Sequence, residues 1–105
     1  MDISEELKQI ADYYGWDAQS NMLIEECAEL IQAVNKYKRA NGSGQPMAEY
    51  HSSLVFDNLI EEIADVEIML EQIKHLLKVP EEEIHTTKVF KIIRTKEKMA
   101  KSKGE

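Results

Sequence analysis

The chain contains few of the residues that interrupt helices. Its 105 residues include only 4 glycines and 2 prolines, so the sequence has almost none of the turn signals that separate neighbouring β-strands. Leu, Ile, Glu, Lys, Ala and Gln, which favour helices, are plentiful. The composition therefore predicts an all-α fold, and the length suits one small domain.

Disulfides and long apolar runs are also missing. Cys27 is the single cysteine, which excludes a disulfide within the chain and indicates a reducing compartment. No apolar stretch approaches the length that crosses a bilayer. The acidic residues Asp2, Glu5 and Glu6 stand where a signal peptide would be basic and then apolar. We therefore expect a cytoplasmic protein with no membrane partner.

An excess of positive charge is absent overall, but the charge is unevenly distributed. The net charge of −7 argues against a nucleic-acid polymer as the main partner. Residues 1–35 hold eight acidic residues and one lysine, whereas residues 88–105 hold seven basic and two acidic residues. This asymmetry has two interpretations: simple attraction or a solvated tail, or a cation site on one element and phosphate-reading groups on another.

Apolar spacing predicts four helical segments. They cover about 4–14, about 17 or 20 to 39, about 54–78, and a last segment from about 81 onward. Ser4 is a candidate N-cap, and Gly15 is a natural stop. Asn41–Pro46 is the clearest loop signal, and Pro80 separates the last two segments.

The second and third segments carry the same pattern of acids. Residues 25–29 read Glu-Glu-Cys-Ala-Glu, and residues 61–65 read Glu-Glu-Ile-Ala-Asp. Residues three apart lie on one face of a helix, so Glu26 pairs with Glu29 and Glu62 pairs with Asp65. At about 100° of rotation per residue, Glu26 and Glu62 fall inside the apolar sectors of their helices. The partner acids fall at the sector edges, and the first acid of each triplet lies further out.

A carboxylate at a core position is costly unless it is compensated. Such acids could hold protons, pair with Lys or Arg, or bind a cation, and neither helix offers a basic residue on the inward face within a turn of its central acid. Hard oxygen ligands at this density suit Mg²⁺, with Mn²⁺ as an alternative. The competing interpretation is that the triplets arose by chance and face water.

With these acids in place, the sequence resembles the MazG-like and dimeric dUTPase-like all-α nucleotide pyrophosphohydrolases. The resemblance rests on Glu25-Glu26-x-x-Glu29 followed by Glu62-x-x-Asp65 and on the apolar residues around them, over about residues 16–95. The stretch between Glu29 and Glu62 is somewhat longer than is common in the family. The resemblance implies a four-helix bundle-like fold, and the length and charge distribution predict one domain over residues 1–105 with a basic tail at about 96–105.

The same resemblance implies an activity. Glu26, Glu29, Glu62 and Asp65 would bind Mg²⁺ and receive a nucleoside triphosphate, and water attacking the α-phosphate would give a nucleoside monophosphate and pyrophosphate. Glu25 and Glu26 are the candidate catalytic acids, with Glu25 orienting the water or acting as base. Glu25 could equally be a solvated residue.

Candidate substrate-binding residues flank the acids. Trp16 could stack on a base, although an aromatic here is more often part of the core, and Gln19 could read a base. Lys88, Lys91 and Arg94 share helical spacing on the last segment and could contact phosphates, the alternative being a solvated basic face.

Two other classes of function remain open. A carboxylate-bridged di-iron bundle usually needs Glu-x-x-His twice, and Glu82-x-x-His85 occurs once. A non-catalytic helical interaction module would use the acids as partner contacts. Apolar residues outside the main stripes predict oligomerisation, and the family resemblance implies a homodimer or a homotetramer. These residues are Ile24, Ile31, Ile60 and Ile68.

Overall fold

Three helices make up the computed structural model, which describes residues 1–42 and 49–104. They are α1 (Ile3–Gly42), α2 (Glu49–Leu77) and α3 (Glu81–Gly104). The described residues contain no strand, which confirms the all-α prediction. No helix in this described part is both long and apolar enough to cross a membrane.

The first two predicted helices are one element with a kink. Gly15 has φ 84° and ψ 175° inside α1, a conformation that glycine adopts readily because it lacks a Cβ. The prediction of four separate helices is therefore wrong in number, although its break falls at the right residue. The predicted N-cap is also wrong: the Asp2 carboxylate accepts a 3.3 Å hydrogen bond from the Glu5 amide, so the cap lies two residues before Ser4.

Helix boundaries differ from the prediction on both sides of the α1–α2 connection. Helix α1 continues to Gly42, past the predicted end at Arg39, and α2 begins at Glu49 rather than near Leu54. Asn41 and Gly42 of the predicted loop are thus helical, and residues 43–46 lie outside the described residues.

The end of α2 has a Schellman geometry without glycine. Lys78 takes φ 55°, and its amide donates to the His75 carbonyl at 3.1 Å while the Val79 amide donates to the Lys74 carbonyl at 3.0 Å. These two bonds satisfy carbonyls that the last turn of a helix leaves open. The chain then enters α3 directly after Pro80, as the sequence predicts.

Helices α1 and α2 form an antiparallel hairpin. Asp12 pairs with His75 and Gln19 with Gln72, and the rings of Tyr37 and Phe56 lie 6.0 Å apart. Later residues of α1 therefore contact earlier residues of α2, as in any antiparallel pair of helices. Among the described residues of the hairpin, the buried apolar core is small and consists of Leu7, Ala11, Ala33, Val66 and Met69.

Helix α3 packs against neither α1 nor α2, and none of its residues is buried. An ion pair between Lys74 Nζ and Glu81 Oε1 at 3.0 Å connects the start of α3 to the end of α2. The radius of gyration is 18.1 Å, whereas a compact domain of this length has about 13 Å. One chain is thus a packed hairpin with a third helix set apart.

Candidate metal centre

Three carboxylates meet where the hairpin is acidic on both helices. One oxygen each from Glu26, Glu62 and Asp65 lies within 4.8 Å of the other two. Glu62 and Asp65 share a face of α2 because they are three residues apart, and the antiparallel packing brings Glu26 of α1 opposite them. The structure therefore brings together three of the four residues predicted as ligands.

Two oxygens in this group have no hydrogen-bond partner. Glu26 Oε2 and Glu62 Oε2 are buried and unpaired, although the three side chains as a whole are only half-buried. Buried polar oxygens in folded proteins almost always have a partner. An orphaned pair in an acidic group is what a site for a positively charged ligand would leave when the protein is considered alone.

The surroundings of the two central glutamates disfavour their charged forms. Burial, followed by the negative charges of Asp65 and Glu29, raises the pKa of Glu26 from 4.5 to about 7. Burial also raises the pKa of Glu62, with further contributions from Glu29 and Asp65. Both shifts have the sign expected of carboxyls that lose water and face like charges.

The fourth predicted ligand lies at the edge of the group. Glu29 is exposed, yet it is close enough for its charge to raise the pKa of both Glu26 and Glu62. Glu25, the predicted base, is also exposed. Burial therefore decreases across the site, from Glu26 and Glu62, which face the interior, to Glu25 and Glu29 of α1, which are exposed.

The structure separates the predicted substrate-binding residues. Trp16 is 46% exposed beside the Gly15 kink. Gln19 is buried, and its amide nitrogen donates to Gln72 Oε1 at 2.7 Å. The three basic residues are exposed on α3, which does not pack against the helices that carry the acids. These are Lys88, Lys91 and Arg94.

Sequence reasoning missed Gln72, the largest fully buried side chain of the described residues. The signal for it was spacing: Gln72 follows Asp65 by seven positions, as Glu26 follows Gln19. Residues seven apart lie on nearly the same helix face. A polar residue that repeats an inward-facing acid at that interval belongs to the same seam of the hairpin.

Comparisons of the chain with protein-family models, with curated proteins and with solved structures found no match. The function must therefore be argued from the carboxylate group itself.

Proposed function

We propose that this protein is a Mg²⁺-dependent nucleoside triphosphate pyrophosphohydrolase, which converts its substrate to a nucleoside monophosphate and pyrophosphate. The observation that carries the proposal is the pair of buried, unpartnered oxygens of Glu26 and Glu62 in a group of three converging carboxylates. The MazG-like resemblance of the same acids supplies the reaction.

The donor set fits a hard divalent cation. Glu26, Glu62 and Asp65 offer oxygens within 4.8 Å of one another, and carboxylate oxygens are the ligands that Mg²⁺ and Mn²⁺ prefer. Glu29 would complete the site from the exposed rim. A bound Mg²⁺ would offset triphosphate charge and lower the pKa of a bound water.

The chain's own residues divide the remaining work. Glu25 is exposed on the turn that carries Glu26, and it would orient a water or accept its proton. Glu26, the second candidate catalytic acid, would act through the cation that it binds, because a bound divalent ion holds a coordinating carboxylate in its charged form. Trp16 would stack on the base at the open side of α1.

The active form is a homodimer or homotetramer. The four residues predicted to lie outside the apolar stripes are all exposed on the hairpin: Ile24, Ile31, Ile60 and Ile68. Helix α3 adds a second uncovered apolar set, in which Phe90 is 69% and Ile92 59% exposed. Apolar area on this scale usually marks an interface.

Charge favours a second copy as the partner. Residues 1–77 hold fifteen acidic and five basic residues, whereas α3 holds four acidic and seven basic residues. Oppositely charged surfaces steer association, and α3 leaves the hairpin of its own chain uncovered. In such an assembly Lys88, Lys91 and Arg94 can approach a neighbouring carboxylate site and contact phosphates.

A nucleotide panel with pyrophosphate detection, with and without Mg²⁺, tests the activity. We expect Mg²⁺-dependent release from at least one nucleoside triphosphate, and its loss in Glu62→Gln. Glu61→Gln is the matched control, because Glu61 is the exposed neighbour and should tolerate the change. No turnover of any panel member at adequate Mg²⁺ would refute the enzyme.

The same preparation distinguishes the interaction-module alternative. A pyrophosphohydrolase should melt at a higher temperature with Mg²⁺ and nucleotide, since ligands that bind the folded state stabilise it. A melting curve unaffected by both would favour a non-catalytic module that uses its acids and α3 for partner contacts.

A further inference from the structure

We infer that Gln19 and Gln72 are positioning residues, whose hydrogen bond sets the sliding register of α1 against α2 and thereby holds the carboxylates of the candidate metal centre opposite one another. This inference gives Gln19 a role inside the protein instead of the base contact predicted from sequence. Its metal-binding readout rests on the proposed function, whereas its register readout does not.

The Gln19–Gln72 pair has the geometry of a register lock, that is, a contact that fits only one alignment of α1 along α2. Gln19 Nε2 donates to Gln72 Oε1 at 2.7 Å, and the two residues are 6% and 2% exposed. Gln72 Nε2 lies 3.4 Å from the Ile68 carbonyl and 3.6 Å from Met69 Sδ. These contacts to its own helix hold the Gln72 side chain so that its oxygen points across to α1.

Other features of the hairpin specify register weakly. The apolar core is small, and two of its five residues are alanines, so neighbouring registers can bury comparable apolar area. The Asp12–His75 pair is partly exposed and contributes little because water screens it. The acids themselves repel one another and favour sliding apart when no cation is bound.

A buried amide pair opposes such sliding. A shift by one helical turn moves α1 by about 5.4 Å along α2, which breaks the hydrogen bond and leaves buried amide groups unpaired. Buried polar residues fix the register of coiled coils in this way. Apolar side chains of the same shape would keep the burial and lose the preference for one register.

The register lock acts on the candidate metal centre because the two groups are separated by the same number of residues on both helices. Gln19 and Glu26 are seven residues apart on α1, and Asp65 and Gln72 are seven apart on α2. The two pairs therefore occupy successive layers of one seam. Whatever aligns Gln19 with Gln72 also aligns Glu26 with Asp65, and a slide of one turn would part the three oxygens that now lie within 4.8 Å.

The test is the double variant Gln19→Met/Gln72→Met, because methionine has nearly the shape of glutamine and no amide. Spin labels at Gln32→Cys and Glu67→Cys, both exposed positions, report the register by pulsed electron paramagnetic resonance. Cys27→Ser removes the native thiol, and excess unlabelled protein suppresses distances between copies. Mn²⁺ alone, followed by its own resonance signal, reports the metal site.

We expect the double variant to remain helical, with a melting temperature equal to or above that of the parent. The label distance should broaden or shift by several ångströms, and Mn²⁺ affinity should fall at least tenfold. Metal affinity would then fall while stability is kept or raised, whereas the loss of a merely structural contact would lower stability as well. Gln9→Met, at an exposed position of α1, is the control and should change neither readout.

A narrow, unshifted distance distribution in a helical double variant would overturn the inference. If the double variant does not fold, the single variant Gln19→Met, which keeps the Gln72 contacts to Ile68 and Met69, is judged by the same criterion. A shifted distance in a protein whose parent form binds no Mn²⁺ would leave the register lock standing and refute the metal site. An unshifted distance with normal Mn²⁺ binding would refute the register lock and leave the metal site standing.

Discussion

The α1–α2 hairpin and helix α3 bury their apolar residues to very different extents. The hairpin encloses Leu7, Val66 and Met69, whereas in α3 Val89 is 40% exposed and Phe90 is 69% exposed. Both elements have amphipathic sequences. Helices α1 and α2 pack against each other within one chain, whereas α3 packs against neither of them.

This difference places the candidate metal centre and the proposed assembly surface on different elements. The acids that converge are all on the hairpin, so the carboxylate group forms without α3. The basic residues predicted to read phosphates are on α3, so their use depends on a neighbour. The predictions below test this division, beginning with the largest effect.

The first prediction concerns the buried part of the candidate metal centre. Glu26→Gln should lower Mg²⁺-dependent pyrophosphate release by at least about 100-fold, since even groups that only support a metal ligand are worth 10- to 100-fold. The same change should raise the melting temperature of the metal-free protein, because it removes one of the repelling carboxylates. Steady-state kinetics and thermal melts in a chelator measure the two effects.

Glu61→Gln, outside the group, should alter neither quantity. A Glu26→Gln protein of full activity would show that catalysis takes place elsewhere in the chain.

The second prediction makes the same kind of truncation in both regions. Leu7→Ala should destabilise the hairpin by about 2–3 kcal/mol, the usual loss for a buried leucine. Phe90→Ala should change the stability of the single chain by less than about 0.5 kcal/mol but weaken self-association. Chemical unfolding and sedimentation at several protein concentrations separate the two effects.

Unchanged sedimentation in Phe90→Ala would remove α3 from the proposed interface. A monomeric parent protein at micromolar concentration would contradict the assembly altogether.

The third prediction uses the raised pKa of Glu26. This carboxyl titrates near 7 in the folded state and at 4.5 ordinarily, so between these values the folded state binds more protons than the unfolded state. Stability of the metal-free protein should therefore fall as pH rises from about 4.5 to about 7, and Mg²⁺ should counteract the loss above that range.

Melting curves at several pH values, with chelator and with Mg²⁺, measure this dependence. Glu26→Gln should make the profile less steep and leave the contribution of Glu62, whose pKa is also raised, whereas Glu6→Gln, at an exposed acid on the same helix, should not change it. A parent profile that rises through this pH range would contradict the burial of the acid.

The smallest expected effect lies at the junction of the two regions. Lys78→Gly should stabilise the protein by up to about 1 kcal/mol, because glycine takes the left-handed conformation without the penalty of a Cβ. Lys78 has φ 55°. Thermal or chemical unfolding would show the gain, and Lys78→Ala serves as the control that keeps the strain. Equal stability of the two variants would indicate that the backbone there is unstrained.

Sequence reasoning recovered the parts of the structure that are local. The helical content, the break at Gly15 and the turn before Glu81 follow from the conformations that individual residues allow. The inward direction of Glu26 and Glu62 follows from helical periodicity. Helix bounds near residues 39–54 were less accurate, because weakly patterned segments take their conformation from the elements around them.

By itself the sequence determined most of the helical content and which helix face each acid occupies, since both depend on contacts within one or two turns. Only the tertiary structure decided that α1 and α2 pair antiparallel, that Gln19 meets Gln72, and that α3 remains apart from the hairpin. Those outcomes depend on which amphipathic surfaces meet across dozens of residues. Helical periodicity limits which surfaces can pair. The pairing that forms is decided by the balance of apolar burial, amide hydrogen bonding and charge repulsion between the helices.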